Sequence, residues 1–549
     1  MYALLMTSEP RPLARTRVML LIACVFLAHV IYLRGAAEDT FIALRFASNL
    51  AHGHGLVWNP GMPPVEGYTD FLWVLLCAGA IRLGIPGLAF AQALSIACGL
   101  AIVLLTYAIG RRLMEWPPPV AAVPAALLAV SGPLATWSAS GMESTLFTLL
   151  ILVAAQQLAD FWRTGSSSAA ARSAFALLLS TLTRPEGVLI AGLLLGVSAA
   201  VALVRSRRSI GAIAAAIGVY VIGFGLYFAW RYSRYGYLMP NTYYAKTGGG
   251  IGQILRGGLL AYLFLMQFAV PLIPGALLAL WEHGFPSTVA LREDPLRWFR
   301  QHAFSVFAAL ICVAFTANNI LVGGDYMAMH RFFVPVLPFM YLLFGLLIAA
   351  VYTQVSRPAN RVGLTALVTF VLFATFFPST VLERSFFASP PQQHGDYRGV
   401  QIERWHVARL SVIGDFFKRY RRDPAESLAT PAIGAIGYYS DMTVYDIHGL
   451  VDTHIAHMPP PPGFAQKRPG HGRSDLPYTF SLHPTYVMFS RDLTPKPLEL
   501  WNYIPDELRA TVEREYVHQS ATLVDERNGE RGYFTFFERR DSARQRESQ

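Results

Sequence analysis

The chain has 549 residues, 54% of them hydrophobic and only 15% charged, against about 25% charged in soluble globular proteins; its mean hydropathy is +0.38. Apolar runs of about 20 residues, the length that crosses a bilayer, recur through its first two thirds, which excludes an ordinary soluble enzyme, a disordered chain and a disulfide-rich secreted protein. Most of the cations behind the net charge of +10 flank apolar runs, where they orient a chain in a membrane, so the charge implies no nucleic acid as partner.

In chain order, hydropathy predicts about eleven spans, near 18–34, 88–109, 119–139, 143–162, 173–184, 186–204, 210–230, 257–280, 303–321, 332–351 and 362–380. Arg11, Arg15 and Arg17 precede the first span and put the N-terminus in the cytoplasm. Every second connection also carries cations: Arg111/Arg112, Arg163/Arg172, Arg205/Arg207/Arg208, Arg292/Arg297/Arg300 and Arg357/Arg361. The 173–184 segment is shorter than the ~20 residues of a full crossing, and a re-entrant segment is the alternative there. For 18–37 the alternative is a cleaved signal peptide ending in Gly35-Ala36-Ala37, against which stands Arg34. The four cysteines, Cys24, Cys77, Cys98 and Cys312, all lie in apolar stretches and spell no disulfide framework.

Two regions fall on the non-cytoplasmic side. The first loop, 35–87, far exceeds the usual connection of about 4–6 residues. The tail, 384–549, is long enough for a domain of its own. In the tail, Trp405–Tyr420 has amphipathic helical spacing, 431–438 and 443–447 read as strands around Ser440-Asp441, and Asn528-Gly529 marks a hairpin. The expected architecture is therefore a polytopic α-helical membrane part, 1–383, followed by an extracytoplasmic α/β domain, 384–549.

Costly polar residues collect on that same side. Glu38 and Asp39 follow the first span directly, and adjacent carboxylates at a membrane boundary have raised pKa values, as a general base for a hydroxyl requires. A hydrated pair marking the end of a span is the bland alternative. Residues 40–51 have helical periodicity, with Phe41, Leu44, Ala47 and Leu50 on one face, which predicts a helix lying in the interface. Glu66, Tyr68 and Asp70 form an acidic-aromatic cluster suited to sugar hydroxyls. Arg184 and Glu186 sit at a helix break made by Pro185. The next loop offers Arg231, Arg234, Asn241, Tyr243, Tyr244 and Lys246 before Gly248–Gly250, a run that serves either as a flexible hinge or as a phosphate cradle. A later loop adds Asp325, His330 and Arg331. Cations and carboxylates at one bilayer depth fit a lipid-linked phosphate leaving group and an acid that deprotonates a nucleophile. A different chemistry is suggested by Asp446, His448, Asp452, His454 and His457, whose spacing suits either a divalent metal or ordinary loop capping.

The stretch Glu38–Trp73, TRPEG, MPNTYYAK, GGDYMAMHRF and GAIGYYSDMTVYDIHGLVD together resemble polyprenyl-phosphate-dependent glycosyltransferases of the GT-C fold. The terminal β-(1→2)-arabinofuranosyltransferase family of actinobacterial cell walls and its proteobacterial relatives are among the similar proteins. The resemblance implies a bacterial inner-membrane enzyme that moves a sugar, arabinofuranose in the named family, from a polyprenyl phosphate to a glycan, lipid or protein acceptor. It implies no certain cofactor; a divalent metal stays open. The family's acidic pair falls on Glu38 and Asp39, with Glu-Asp where relatives have Asp-Asp, and Asp39 is the expected base. Arg184, Lys246, His330 and Arg331 are expected on the donor phosphate. Glu66, Tyr68, Glu143, Glu186, Asn241, Tyr243 and Asp325 are expected on the sugar or acceptor. VEGYTDFLW departs from the arabinan enzyme's motif, which bears on the choice of sugar. A membrane scaffold or motility-linked protein, and a metal-dependent extracytoplasmic hydrolase, are the competing functions.

Overall fold

The structure, a computed structural model, describes residues 12–275, 277, 294–325, 327–354, 358–382, 400–525 and 529–547. Arg11, Arg292, Arg357, Asn528 and the last residues of the 257–280 span lie outside the described residues. The chain folds into two compact units, each assembled from separate stretches. One takes Met1–Gly35, Ala91–Trp230 and Ile254–Val400; the other takes Ala36–Phe90, Arg231–Gln253 and Gln401–Gln549. A division at residue 383/384 is thus not the one the compact units follow. The first loop and the 231–253 loop group with the tail, because their side chains are buried among its strands and turns.

In the first unit, eight helices among the described residues are long and apolar enough to cross a membrane, running from Gly87–Arg112 to Val362–Thr380. A ninth arises if the bent pair Pro118–Ala129 and Gly132–Ala139 is one span. That count is lower than the predicted eleven. The first predicted span falls in the helix Pro12–Tyr32, 21 residues long, whose stretch Thr16–Tyr32 stands among the shorter apolar helices. The 173–184 segment belongs to the helix Ser167–Thr183, whose serines, threonines and alanines dilute its hydropathy. This helix lies against Ser144–Thr164, with the Ser173 hydroxyl donating to the Ala154 carbonyl at 2.8 Å. The break falls elsewhere, at the 57° bend before Gly132-Pro133. There the Gly132 amide donates to Ser379 Oγ at 3.1 Å, an approach a side chain at 132 would block.

The second unit holds a five-stranded sheet of order β2-β1-β3-β5-β4. Its strands are β1 (Ser427–Thr430), β2 (Thr443–Asp446), β3 (Tyr486–Val487), β4 (Tyr516–Asp525) and β5 (Glu530–Arg539). β1 is parallel to β2 and β3, whereas β5 is antiparallel to β3 and β4. Side chains alternate across the sheet. Phe534 and Phe536 meet Phe416 and Phe417 of the helix Val400–Tyr420. Phe537 points to the opposite face and packs with Val487, Leu500, Ile504 and Tyr516.

The predicted helix over 405–420, strand at 443–447 and late hairpin all appear. The strand expected at 431–438 does not. Residues 434–438 fall instead in the helix Gly434–Ser440, buried at Gly434, Ala435, Ile436, Gly437 and Ser440, where an unbroken apolar run carries no period to separate strand from helix. The first-loop helix Thr40–Ala51 is present, and it is covered on more than one face. Thr40 through Ala47 are all buried, and Arg45 is pinned from several directions. Its Nε donates to the Trp58 carbonyl at 2.9 Å, and one terminal nitrogen donates to Asn59 Oδ1 at 2.8 Å and the Met442 carbonyl at 2.6 Å. The other terminal nitrogen donates to the Gly437 carbonyl. Asn59 in turn pairs with both backbone groups of Val444 at 3.0 Å. A side-chain amide thereby satisfies the open edge of β2, which would otherwise present unpaired backbone groups.

Candidate active site

Two polar clusters hold most of the sequence-predicted residues, one in each unit. In the first unit, Pro185 forces Arg184 into an extended conformation, φ −152° and ψ 141°, ending one helix before Glu186 opens the next. The Arg184 guanidinium bonds Glu143 at 2.6 Å and Glu186 at 2.7 and 3.2 Å. Arg331 forks onto Asp325 at 2.6 and 3.2 Å. Both guanidinium groups lie 5.1 Å from the centre of the Phe332 ring, so the two ion-pair systems adjoin. Met329 and His330 precede Arg331 with φ of 59° and 47°. Two consecutive left-handed non-glycine residues cost about 1–3 kcal/mol each, and this strained turn aims Arg331 back at the aspartate.

Burial alone would lower the Arg184 pKa, but the Glu186 and Glu143 carboxylates outweigh it and hold the guanidinium above its ordinary value. Burial likewise opposes ionisation of Glu186, and Arg184 overcomes it. With three carboxylates against two guanidiniums, these five side chains carry one net negative charge. They are a braced network rather than an open cationic pocket. His330 was expected as a phosphate cation, yet its burial brings its pKa down to about 4, leaving a neutral imidazole at hydrogen-bond distance, 3.1 Å, from Gln267.

In the second unit, Glu38 and Asp39 form the turn into the helix Thr40–Ala51. The Glu38 amide donates to Glu403 at 2.9 Å, and its carboxylate accepts from the Gly434 amide at 2.6 Å. Loss of solvation, then the neighbouring Asp39 and Glu403 carboxylates, push the Glu38 pKa up to about 8 against those amide bonds. Glu38 therefore keeps its proton at neutral pH.

The remaining predicted contacts in this unit are engaged within it. Glu66 and Arg231 form a buried ion pair at 2.5–2.8 Å. The Tyr68 hydroxyl meets that of Tyr235 at 2.9 Å. Asn241 donates to the carbonyls of Gly449, Leu450 and Asp452 at 2.9–3.3 Å. Tyr243 is exposed, and the Lys246 stem lies by Gly470. The glycine run favours neither hinge nor cradle. The Gly249 amide donates to Gln253 at 3.2 Å, and Gly249 and Gly252 lie against Ala465 so closely that a side chain would meet it.

The metal alternative fares similarly. Asp446 accepts from the amides of His448 and Val451 at 2.8 and 3.1 Å. Asp452 caps the helix Thr453–His457, His454 pairs with Asp475 at 3.0 Å, and His457 packs on Tyr237 and Tyr244. Among the described residues, no three His, Cys, Asp or Glu side chains are grouped to hold a metal ion.

Sequence reasoning missed Glu403, Trp58, Asn59 and Arg473. Arg473 donates to Met458, Ala245 and Thr247 carbonyls at 2.8–3.0 Å and ties the 241–247 segment to the tail. Arg45 did leave a signal, a lone charge inside an apolar helix.

Comparison with known proteins gives three findings. A family model described as a domain of unknown function (DUF8728) matches residues 397–537. The terminal beta-(1->2)-arabinofuranosyltransferase of Mycobacterium tuberculosis is 31% identical over 236 residues, 40% of this chain; the match spans only 36% of that protein's length. The crystal structure of ArnT from Cupriavidus metallidurans in the apo state superposes with a TM-score of 0.55 at 13% identity, covering 95% of this chain and 98% of that one. Its form bound to undecaprenyl phosphate gives 0.52, also at 13% identity, over 95% and 97%. The resemblance seen in the motifs and the likeness over nearly the whole chain agree: this is a multi-pass membrane protein of the GT-C fold, with a sheet-containing C-terminal domain.

Proposed function

We propose that the chain is a membrane glycosyltransferase that transfers a sugar from a polyprenyl-phosphate donor to a hydroxyl of a cell-envelope glycan, lipid or protein. The observation that carries this reading is the carboxyl triad Glu38, Asp39 and Glu403, in which burial and the two neighbours keep Glu38 protonated at neutral pH, on a fold shared with a protein solved with undecaprenyl phosphate. In the proposed step the acceptor oxygen attacks the anomeric carbon as the bond from that carbon to the phosphate oxygen breaks. Asp39, beside protonated Glu38, takes the acceptor's proton, and polyprenyl phosphate departs with the bonding electrons. Arabinofuranose is the first sugar to try, because the relative matched in sequence is named for it. The arginine distribution supports a cytoplasmic N-terminus and an extracytoplasmic tail at the bacterial inner membrane.

The test is a donor panel. Protein in nanodiscs is incubated with short-chain polyprenyl phosphates carrying pentoses or hexoses and with membrane extract, with and without chelator, and transfer is read by mass spectrometry. Asp39→Asn is expected to cut the rate by about 10²–10⁴, the usual contribution of a general base. Full activity in that variant at normal protein levels overturns the assignment. The chelator arm decides whether a divalent cation takes part.

A further inference from the structure

Within the first unit, the helix Gly187–Arg205 is followed by the buried Ser206, and the short turn Arg207–Ser209 leads into the helix Ile210–Tyr235. The hydroxyls of Ser206 and Ser209 meet at 2.9 Å and close this connection on itself. A third segment reaches it. Arg300, in the second turn of the helix Pro295–Val322, donates to Ser206 Oγ at 3.4 Å. The 206–209 connection and the start of the later helix therefore lie side by side. Arg297 stands three residues before Arg300, on the same face of its helix.

This corner exposes four arginines, Arg207, Arg208, Arg297 and Arg300. Among the described residues none of the four guanidinium groups forms an ion pair, and the Ser206 hydroxyl is the one side-chain partner that any of them has. Asp294 caps its helix through the Arg297 amide at 2.9 Å, not through a guanidinium. Other cation-bearing connections are built differently. Arg163 pairs with Glu115 at 3.3 Å and lies 3.9 Å from Asp160. Arg172 donates to Gln157 at 2.7 Å, and Arg111 donates to the Trp116 carbonyl. Orienting a chain in a bilayer requires only that cations be present; gathering four of them without acids is a separate property. Two helices also start here, and helix starts carry positive partial charge, so an anion at this corner meets attraction from every side. Apolar residues adjoin the charges. Leu203 and Val204, just before Ser206, are 65% and 72% exposed. Trp298, between Arg297 and Arg300, stacks on His302 at 4.8 Å, and tryptophan favours the headgroup level of a bilayer.

We infer that this corner is a binding site for an anionic phospholipid of the membrane in which the protein sits. The four arginines take the headgroup phosphate through charge-assisted hydrogen bonds, and Leu203 and Val204 lie along the acyl chains. A free anion would use the arginines and leave the apolar residues without a partner, which is why a lipid is the occupant. On the orientation proposed above, the site belongs to the cytoplasmic leaflet. It is independent of the transferase reading, since it uses none of the residues assigned to transfer.

The test is lipid binding rather than transfer. Full-length protein, stripped of lipid in nonionic detergent, is titrated with phosphatidylglycerol, cardiolipin and phosphatidylethanolamine, and bound lipid is counted by native mass spectrometry. The two anionic lipids are expected to bind about tenfold or more tightly than the zwitterionic one and to raise the unfolding midpoint, with an advantage that shrinks as salt rises. Each arginine is worth about fivefold at an anionic lipid surface. Arg207→Gln/Arg208→Gln/Arg300→Gln is therefore expected to lose about a hundredfold in anionic affinity, and the matching lysine variant to keep most of it. Arg163→Gln, which removes a paired cation, is expected to stay within twofold of wild type. Should the triple glutamine variant fail to fold, Arg297→Gln/Arg300→Gln is expected to lose about 25-fold. Equal affinity for phosphatidylglycerol and phosphatidylethanolamine overturns the site, as does a Kd within twofold of wild type in whichever glutamine variant folds. Inorganic phosphate that displaces the lipid and reproduces its midpoint shift overturns the lipid as occupant. Preference for cardiolipin over phosphatidylglycerol supports the site with a doubly charged headgroup, and equal binding of the two supports it with a single phosphate.

Discussion

A carboxyl that keeps its proton to about pH 8 ties stability to pH at Glu38. Its folded pKa lies above the ordinary 4.5, so between those values the folded chain holds a proton that the unfolded chain releases. The stabilisation is complete below pH 4.5 and is lost as pH rises through 8, at about 1.4 kcal/mol per pH unit. Glu38→Gln cannot ionise and removes that slope. Thermal unfolding in detergent is expected to show the wild-type midpoint falling more steeply than the variant's from pH 5 to 8.5. Parallel curves would remove Glu38 as the proton holder. The charged residues of the other cluster were legible because each breaks an apolar run. Arg184, Glu186, Asp325 and Arg331 could each be picked out by position, and Glu143 beside them. Their pairing was not legible, since partner choice depends on approaches between segments as distant as residues 143 and 184. Of the expected phosphate cations, Arg184 and Arg331 are braced by acids and His330 is uncharged, whereas the Lys246 stem lies by Gly470.

Helix Gly434–Ser440 shows why part of the tail escaped sequence reading. Its run of alanine, isoleucine and glycine gives no amphipathic period, and its first four residues are all buried. What distinguishes the segment is close approach. A Cβ added at Gly434 would land on the backbone oxygen and carboxylate of Glu38, whereas one at Gly437 would lie 3.1 Å from the Trp58 ring. Gly434→Ala is therefore expected to push away the amide that holds Glu38 and to cost about 1–3 kcal/mol as overpacking. The same variant should change the pH slope of unfolding that Glu38 produces. Differential scanning fluorimetry across pH checks both, with Gly437→Ala as the comparison that lowers the midpoint and leaves the slope alone. Equal slopes in wild type and Gly434→Ala would mean that the glycine matters only for space. By contrast, the hairpin of β4 and β5 was legible from its turn residues, and its strands pair without interruption from Tyr516↔Arg539 to Asp525↔Glu530.

Local signals such as apolar runs and turn residues sufficed for a polytopic helical protein with an α/β tail, but the division into units is a long-range property. Ala36–Phe90 and Arg231–Gln253 belong with the tail through side chains that look unremarkable in sequence. Trp58 donates from its indole to the Val444 carbonyl at 2.9 Å, and Asn59 closes the edge of β2. Arg45 bonds carbonyls at 437 and 442. Asn241 fills the 449–452 turn, and Arg473 reaches back to residues 245 and 247. A polypeptide of residues 400–549 would lack every one of the first-loop and 231–253 partners. Its β2 edge would present bare backbone groups, which favours pairing with other chains, and its Trp58 contact surface would lie open. That fragment is expected to expose apolar surface to a dye such as ANS and to self-associate, while the sheet within the full chain unfolds cooperatively. Supplying residues 36–90 as a separate chain should reduce both effects, and Arg45→Ala in that chain should weaken the rescue. A fragment that is monomeric, unfolds cooperatively and is indifferent to the added segment would show that the tail folds as an independent domain. The loops would then be passengers on it, and the carboxyl triad would depend on them only for Glu38 and Asp39.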